Sequence, residues 1–232
     1  MVLERVVSSG GRRFSVYFKN NPDWMTQYSI AQRPVSRHEP EVVEYLLQNL
    51  KPGMTFLDVG AGVGWFTLIG AHEVGDEGLV LAYEPLPSRY KLLRENVKLN
   101  NFENVQCFPL ALSDKEGEAY MTGRHLMRLT HRKTDISTKT ISLDSHFVTL
   151  NLKRVDVVKI DVEGEELKVL YGMEQTIENN PQIKIVCEIH GAIESGREHE
   201  ERLFYFMSEL GFHAKELGGT PPHWVFSKTR WA

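Results

Sequence analysis

The sequence predicts an α/β fold: a doubly wound, seven-stranded sheet, mostly parallel with an antiparallel last strand, and helices on both faces. Three observations carry this reading. Short apolar runs at 55–59, 79–83, 105–109, 155–160 and 183–189 read as buried strands. Segments at 63–74, 88–99 and 165–177 place their apolar residues at helical spacing between those runs. A glycine-rich turn joins the first run directly to the first of these helices. Strand, helix, strand in repetition requires parallel neighbours, because a crossover of that length brings the chain back in the same direction.

The elements follow in chain order. Residues 5–18 alternate around Ser8-Ser9-Gly10-Gly11 and continue through Phe14, Val16 and Phe18, which suits a half-exposed hairpin. Pro40 opens a helix over 41–50, with Val43, Leu46, Leu47 and Leu50 on one face, and Pro52-Gly53 ends it. In the helix at 88–99, Tyr90, Leu93 and Val97 share a face, and in that at 165–177 Leu167, Leu170 and Tyr171 do. A longer helix over 197–210 sets Leu203, Phe206, Met207 and Leu210 in one stripe and stops at Gly211. Strands near 212–217 and 223–227 complete the sheet. The link Gly218-Gly219-Thr220-Pro221-Pro222 between them is too short for a helical crossover, so this pair is antiparallel.

No linker, repeat or low-complexity tract divides the 232 residues. The expected organisation is one domain over 1–232, with an N-terminal hairpin and helix in 1–50 and a core in 51–232 that carries an insertion near 115–140. Lys and Arg number 27 against 31 Asp and Glu, a formal charge of −4, which argues against nucleic acid or an anionic membrane as partner. Cys107 and Cys187 stand apart in apolar stretches and read as buried free thiols, with no metal knuckle. The charged start Met-Val-Leu-Glu-Arg lacks an apolar run, and the uncharged stretch 60–71 is too short to span a bilayer, so a cytoplasmic protein is expected.

The most informative stretch is Thr55-Phe-Leu-Asp-Val-Gly-Ala-Gly-Val-Gly-Trp-Phe-Thr67. Gly60, Gly62 and Gly64 allow the backbone to turn sharply and approach a ligand. The dinucleotide fingerprint needs a third glycine three residues after the second, and Trp65 stands there. Asp58, just before the glycines, would repel phosphate but attract an ammonium or sulfonium. Glu84 ends the second strand, where a carboxylate can accept hydrogen bonds from both hydroxyls of a ribose. Together these residues resemble the class I S-adenosylmethionine-dependent methyltransferases, whose core is Rossmann-like.

The resemblance narrows when the motifs are read in order: Leu57-Asp-Val-Gly-Ala-Gly-Val-Gly64, Tyr83-Glu-Pro85, Leu110-Ala-Leu-Ser-Asp114, Ile141-Ser-Leu-Asp144 and Val158-Lys-Ile-Asp-Val-Glu-Gly-Glu-Glu166. Over about residues 38–190 the chain resembles the FkbM family of methyltransferases. The resemblance implies transfer of a methyl group from S-adenosylmethionine to a hydroxyl of a sugar, glycan or natural product. It implies that Gly60, Ala61, Gly62 and Gly64 lie against the methionine and ribose, with Trp65 and Pro85 beside them. Glu84 would hold the ribose, Ala111 and Leu112 would flank the adenine, and Asp161 would stand beside the amino or methyl group. The segment Glu39-Pro40-Glu41 is similar to the family's entry segment, which would make His38 and Glu39 a lid.

Ligands of an open α/β sheet collect outside the carboxyl ends of its strands, which singles out Asp161, Glu163, Glu188 and His190. Methyl transfer to oxygen needs one base to take the acceptor's proton. Asp161 and His190 are the two candidates, with His190 favoured because an ordinary imidazole needs little tuning. Asp161, Glu188 and His190 could also hold Mg²⁺, although a metal is the less favoured expectation. Glu165 and Glu166 are read as first-turn acids that complement a helix dipole. His131, His199, His213 and His223 show no ligand spacing and are read as ordinary surface or core residues. The basic stretch 124–133, with Arg124, Arg128, Arg132 and Lys133, is either solvated surface or a site for an anionic group on the acceptor. Trp24, Trp224 and Trp231 receive no role. The sequence leaves three rivals: an RNA methyltransferase, an NAD-dependent oxidoreductase, and a non-catalytic module that binds S-adenosylmethionine.

Overall fold

The computed structural model describes residues 2–9, 12–19, 39–122, 128–130, 134, 136–190 and 196–230. At the front, β1 (Val2–Ser9) pairs antiparallel with β2 (Arg12–Lys19), the hairpin that the alternation predicts. Next comes α1 (Pro40–Asn49), which starts at the predicted proline. The main sheet then begins: β3 (Thr55–Val59), α2 (Trp65–Val74), β4 (Leu79–Tyr83), α3 (Pro87–Leu99) and β5 (Val105–Phe108).

The second half of this sheet is built from β10 (Val157–Ile160), β11 (Lys184–Glu188), β12 (His213–Gly218) and β13 (His223–Ser227), with α7 (Gly196–Glu209) before β12. The seven strands lie in the order β12-β13-β11-β10-β3-β4-β5. From β5 to β11 all neighbours are parallel. β13, the last strand of the chain, runs antiparallel to both β11 and β12. The chain winds from β3 outward to β5, then returns to β10 on the other side of β3. The carboxyl ends of β3 and β10 therefore flank the point where the winding reverses, which is where ligands of such sheets bind.

Alternation along the strands divides the core into two layers. Phe56, Val80, Val157, Val186 and Val225 pack with α1, α2 and α3 on one face. Leu57, Leu81, Val158, Ile185 and Phe226 pack on the other face, with α7 and three shorter helices. Each fully buried branched side chain of this kind is worth about 1.5–3 kcal/mol. Cys187 is buried and Cys107 half-buried, both as free thiols.

Three local features depart from the sequence reading. The expected strand 105–109 ends at Phe108, and after Pro109 the chain enters a separate short strand, β6 (Leu110–Leu112). Pro109 has no N–H for the ladder, so it is a natural exit from the main sheet. β6 joins β7 (Gly117–Thr122), β8 (Arg128–Thr130) and β9 (Ser137–Ile141) in a second sheet of order β6-β9-β7-β8, within the region expected as an insertion. Helix α4 (Leu143–Leu150) follows, capped where the Ser142 hydroxyl accepts the Ser145 N–H at 3.2 Å.

The third departure is the expected helix over 165–177, which is two: α5 (Glu166–Tyr171) and α6 (Glu174–Asn179). The chain breaks at Gly172 for two reasons. A Cβ there would collide with the Ser113 carbonyl, and the Gly172 carbonyl accepts the Asp144 N–H at 3.0 Å. Asp144 then caps α6 from outside. Its carboxylate accepts the N–H groups of Gln175 and Thr176 at 3.1 and 2.8 Å and the Thr176 hydroxyl at 2.6 Å. Among the described residues no helix is long and apolar enough to cross a membrane.

Candidate functional site

The glycine turn after β3 is held from two sides. Gly60, Gly62 and Gly64 have φ of 81°, 57° and 97°, a left-handed backbone that side chains resist. The N–H groups of Gly60 and Ala61 donate to the Tyr83 carbonyl at 3.0 and 2.9 Å. That of Gly62 donates to a carboxylate oxygen of Glu84 at 2.8 Å. The other oxygen of Glu84 accepts the Leu86 N–H at 2.8 Å. Glu84 is 3% exposed. Burial pushes its carboxyl up to about 7, against the pull of those two N–H groups and the Arg89 charge.

A cavity opens above this turn. Its walls include eleven of the candidate site residues named from sequence: Glu39, Gly60, Ala61, Gly62, Trp65, Glu84, Pro85, Ala111, Leu112, Asp161 and Glu163. Tyr83, Arg89, Met121 and Lys159 complete much of the rest. Ala111, Leu112 and Met121 reach the cavity on β6 and β7, so the second sheet, not foreseen from sequence, builds one wall. Asp58 and Gly64 stand behind the wall. Asp58 is fully buried, and its carboxylate accepts the Thr67 hydroxyl at 2.6 Å. Gly64 begins α2, and a Cβ there would press on Leu93.

One end of the cavity is acidic. Asp161, Glu163 and Glu39 line it, and Asp58 lies beneath. Set among them is Lys159, with its side chain 2% exposed and its ammonium 2.9 Å from Asp161 Oδ2 and 4.6 Å from the Phe66 ring centre. Burial pulls the Lys159 pKa down, but the charges of Asp161, Glu39 and Asp58 more than offset it, and the group stays protonated. Asp161, Glu163 and Glu39 thus present carboxylate oxygens to this end of the cavity, which suits a cationic ligand group.

The structure brings His190 beside Asp161, with Nε2 at 4.0 Å from Oδ1, but in a different state from the one expected. Its Nδ1 is 2.9 Å from Glu166 Oε1 and its Nε2 is 3.6 Å from Glu163 and 3.5 Å from Glu188. Burial alone would lower its pKa, but the bond to Glu166 and the charges of Glu188 and Asp161 raise it to about 9. The expectation of an untuned imidazole is therefore corrected: its carboxylate neighbours raise its basicity and favour the doubly protonated ring, which has no lone pair for a base.

Glu166 is also more than a first-turn acid. It is fully buried and sits between two histidines, accepting from His190 at Oε1 and from His199 Nε2 at Oε2 across 3.0 Å, with the Gly164 N–H at 2.9 Å. Burial alone would raise its pKa, yet these bonds hold it down at about 2. His223, read from sequence as an ordinary residue, is 2% exposed, with Nε2 at 3.2 Å from Glu39 and 3.6 Å from Glu188. His199 is 33 residues from Glu166 in sequence, and His223 is 35 from Glu188 and 184 from Glu39, so no spacing signal could have assembled them. Of the other expectations, His38, Trp24, Trp231 and most of the basic stretch 124–133 lie outside the described residues. Trp224 packs edge-on against Phe204 at 4.8 Å.

The sequence family described as Methyltransferase FkbM domain matches residues 58–214. The hexuronic acid methyltransferase AglP of Haloferax volcanii is 28% identical over 164 residues, covering 68% of this chain and 65% of that protein. The 31-O-demethyl-FK506 methyltransferase FkbM of Streptomyces tacrolimicus is 28% identical over 180 residues, 61% of this chain and 67% of that one. Among solved structures, the FkbM methyltransferase of Methylobacillus flagellatus superposes with a TM-score of 0.55 at 14% identity, over 79% of this chain and 50% of that one. The chain thus spans about half to two thirds of the length of the relatives it matches.

Proposed function

The chain belongs to the FkbM methyltransferase family and is accordingly an S-adenosylmethionine-dependent methyltransferase, and from that premise we propose that it methylates a hydroxyl oxygen of a sugar, glycan or natural-product acceptor. The observation that carries the cofactor half of this reading is the pairing of Glu84 with an acidic cavity end across the glycine turn. The cofactor has the matching polarity, with ribose hydroxyls in its middle and two positive groups at its methionine end. Gly62 supports the fit: it lines the cavity, and among the described residues a Cβ there would meet no atom within 4 Å.

In this reading Glu84 accepts hydrogen bonds from the ribose, and the Gly62 and Leu86 N–H groups keep its carboxylate aimed. Gly60, Ala61 and Gly62 let the backbone pass close beneath, with Trp65 and Pro85 at the flanks. Ala111 and Leu112 sandwich the adenine. Glu39 and Asp161 attract the positive end, and Asp58 holds the turn from below through Thr67. S-adenosylmethionine supplies a methyl group activated by its sulfonium. The acceptor oxygen must lie in line with it, about 3 Å away, and Asp161 Oδ1, the oxygen not taken by Lys159, receives its proton.

Transfer to oxygen draws on the relatives: one name specifies an O-methyl group and the other a hexuronic acid as substrate. The test is incubation with isotopically labelled S-adenosylmethionine and a panel of uronic acids, neutral sugars and hydroxylated macrolides, with mass spectrometry to locate the label. A labelled methyl ether on a hydroxyl supports the reading. Label on nitrogen or carbon, or on RNA alone, overturns it.

A further inference from the structure

Beyond the cavity, at the ends of β11 and β13, two histidines point the same ring nitrogen into one buried space. His190 Nδ1 is held by Glu166 at 2.9 Å. His223 Nδ1 lies 3.3 Å from the Gly218 carbonyl and 3.2 Å from Glu41. These partners accept only, so each keeps a proton on Nδ1 and turns Nε2 inward. That is the arrangement in which metal-binding histidines are oriented by an outer carboxylate or carbonyl.

Glu188 stands between the two rings. Its Oε1 is 3.5 Å from His190 Nε2 and its Oε2 is 3.6 Å from His223 Nε2. Asp161 Oδ1 and Glu163 Oε2 complete the first group at 4.0 and 3.6 Å from His190, and Glu39 Oε2 completes the second at 3.2 Å from His223. In Asp161, Glu163 and His190, and again in Glu39, Glu188 and His223, one candidate ligand atom from each residue lies within 4.8 Å of the other two. Ligands placed about 2.1 Å from a common ion stand roughly 3.0–3.4 Å apart, a spacing these pairs approach. A further sign comes from His223: its side chain is 2% exposed, and Nε2, sealed from water, faces the carboxylate oxygens of Glu39 and Glu188 with no aligned hydrogen bond among the described residues.

We propose that these two groups form a divalent-cation site with Glu188 as shared ligand. One nitrogen and two or three oxygens per position suit Mn²⁺, Zn²⁺ or Fe²⁺, and a bound cation would displace the Nε2 proton. Its purpose rests on the O-methyltransferase reading. A cation held through Asp161 Oδ1 would polarise an acceptor hydroxyl and replace that oxygen as the group that eases its proton's departure, the proton then passing to water, and an acceptor with a carboxylate next to that hydroxyl could complete the coordination.

The test uses the full chain stripped with EDTA and titrated with Mn²⁺, free Mn²⁺ being followed by electron paramagnetic resonance. The expected result is saturable uptake of at least one equivalent, weakened about tenfold or more in Glu188→Gln. Glu163→Gln, at the more exposed edge of the site, serves if the first variant does not fold. S-adenosylhomocysteine binding by the same samples reports the cofactor cavity. Binding of that nucleoside with no Mn²⁺ or Zn²⁺ uptake, or with uptake unchanged in folded variants, overturns the metal site and leaves the methyltransferase reading intact. Loss of nucleoside binding by the unaltered chain overturns the latter instead.

Discussion

Glu166 and His190 meet across 2.9 Å, joining the first turn of α5 to the end of β11. Because a carboxylate can only accept, the shared proton belongs to the histidine. The second oxygen of Glu166 is held by His199 from α7, so one buried side chain fixes three elements around the acidic end of the cavity.

Replacing Glu166 with alanine leaves two half-buried imidazoles and the Gly164 N–H without their acceptor. Removing one partner of such a buried network costs about 3–5 kcal/mol. The expected result is a drop of that size in urea unfolding free energy. An unchanged midpoint and slope would show that the network contributes little to the fold.

Glu84 gives a pH dependence whose sign follows from its burial. The carboxylate, not the acid, accepts from both ribose hydroxyls, and its pKa in the folded chain lies near 7. S-adenosylhomocysteine affinity should therefore rise about tenfold from pH 6 to pH 8 as the group ionises. Stability of the unliganded chain moves the other way. A carboxyl raised above its unfolded value contributes fully below about pH 4.5, and that contribution is lost as the pH climbs through 7. Calorimetric titration across this range tests the affinity trend, and Glu84→Gln should bind weakly with the slope removed. A slope retained in the variant would assign the titration to another group.

Asp144 lies within the stretch that the family matches, yet it is not among the cavity walls and caps α6 from the start of α4. Asp144→Ala should lower stability by about 1–2 kcal/mol, the range of a lost helix cap, while the affinity for S-adenosylhomocysteine stays within twofold. A large loss of affinity with little change in stability would move the residue's role to the site.

What was legible in the sequence was whatever the chain encodes locally. Short apolar runs mark five of the seven strands and the short 218–222 link the antiparallel closing pair, and the glycines with Asp58 and Glu84 mark the cavity floor, because a turn and the strand leading into it are contiguous. The second sheet was not legible: its strands are three to six residues long, and Pro109 hides where β5 ends and β6 begins. The split between α5 and α6 goes with Asp144, whose N–H donates to the Gly172 carbonyl and whose carboxylate accepts the Thr176 N–H, tertiary contacts with no local signature. The state of His190 was misread for the same reason. Its basicity is set by Glu166, Glu188 and Asp161, which only the fold brings around it.

Gly60 and Gly62, two residues apart in the same turn, should respond to alanine in opposite ways. At Gly60 a Cβ would run into the Asp161 carbonyl, backbone that cannot move without pulling β10 from β3. Gly60→Ala should therefore unfold the chain or lower its melting temperature severely. At Gly62 a Cβ meets nothing within 4 Å, so the folded chain bears only the left-handed backbone strain of about 1–2 kcal/mol. The added methyl instead occupies cavity space. Gly62→Ala should keep a cooperative thermal transition, shifted by a few degrees, and lose S-adenosylhomocysteine binding by tenfold or more. Thermal melts and titration on the two variants decide it. Full binding by Gly62→Ala would mean that the ligand does not lie against this turn.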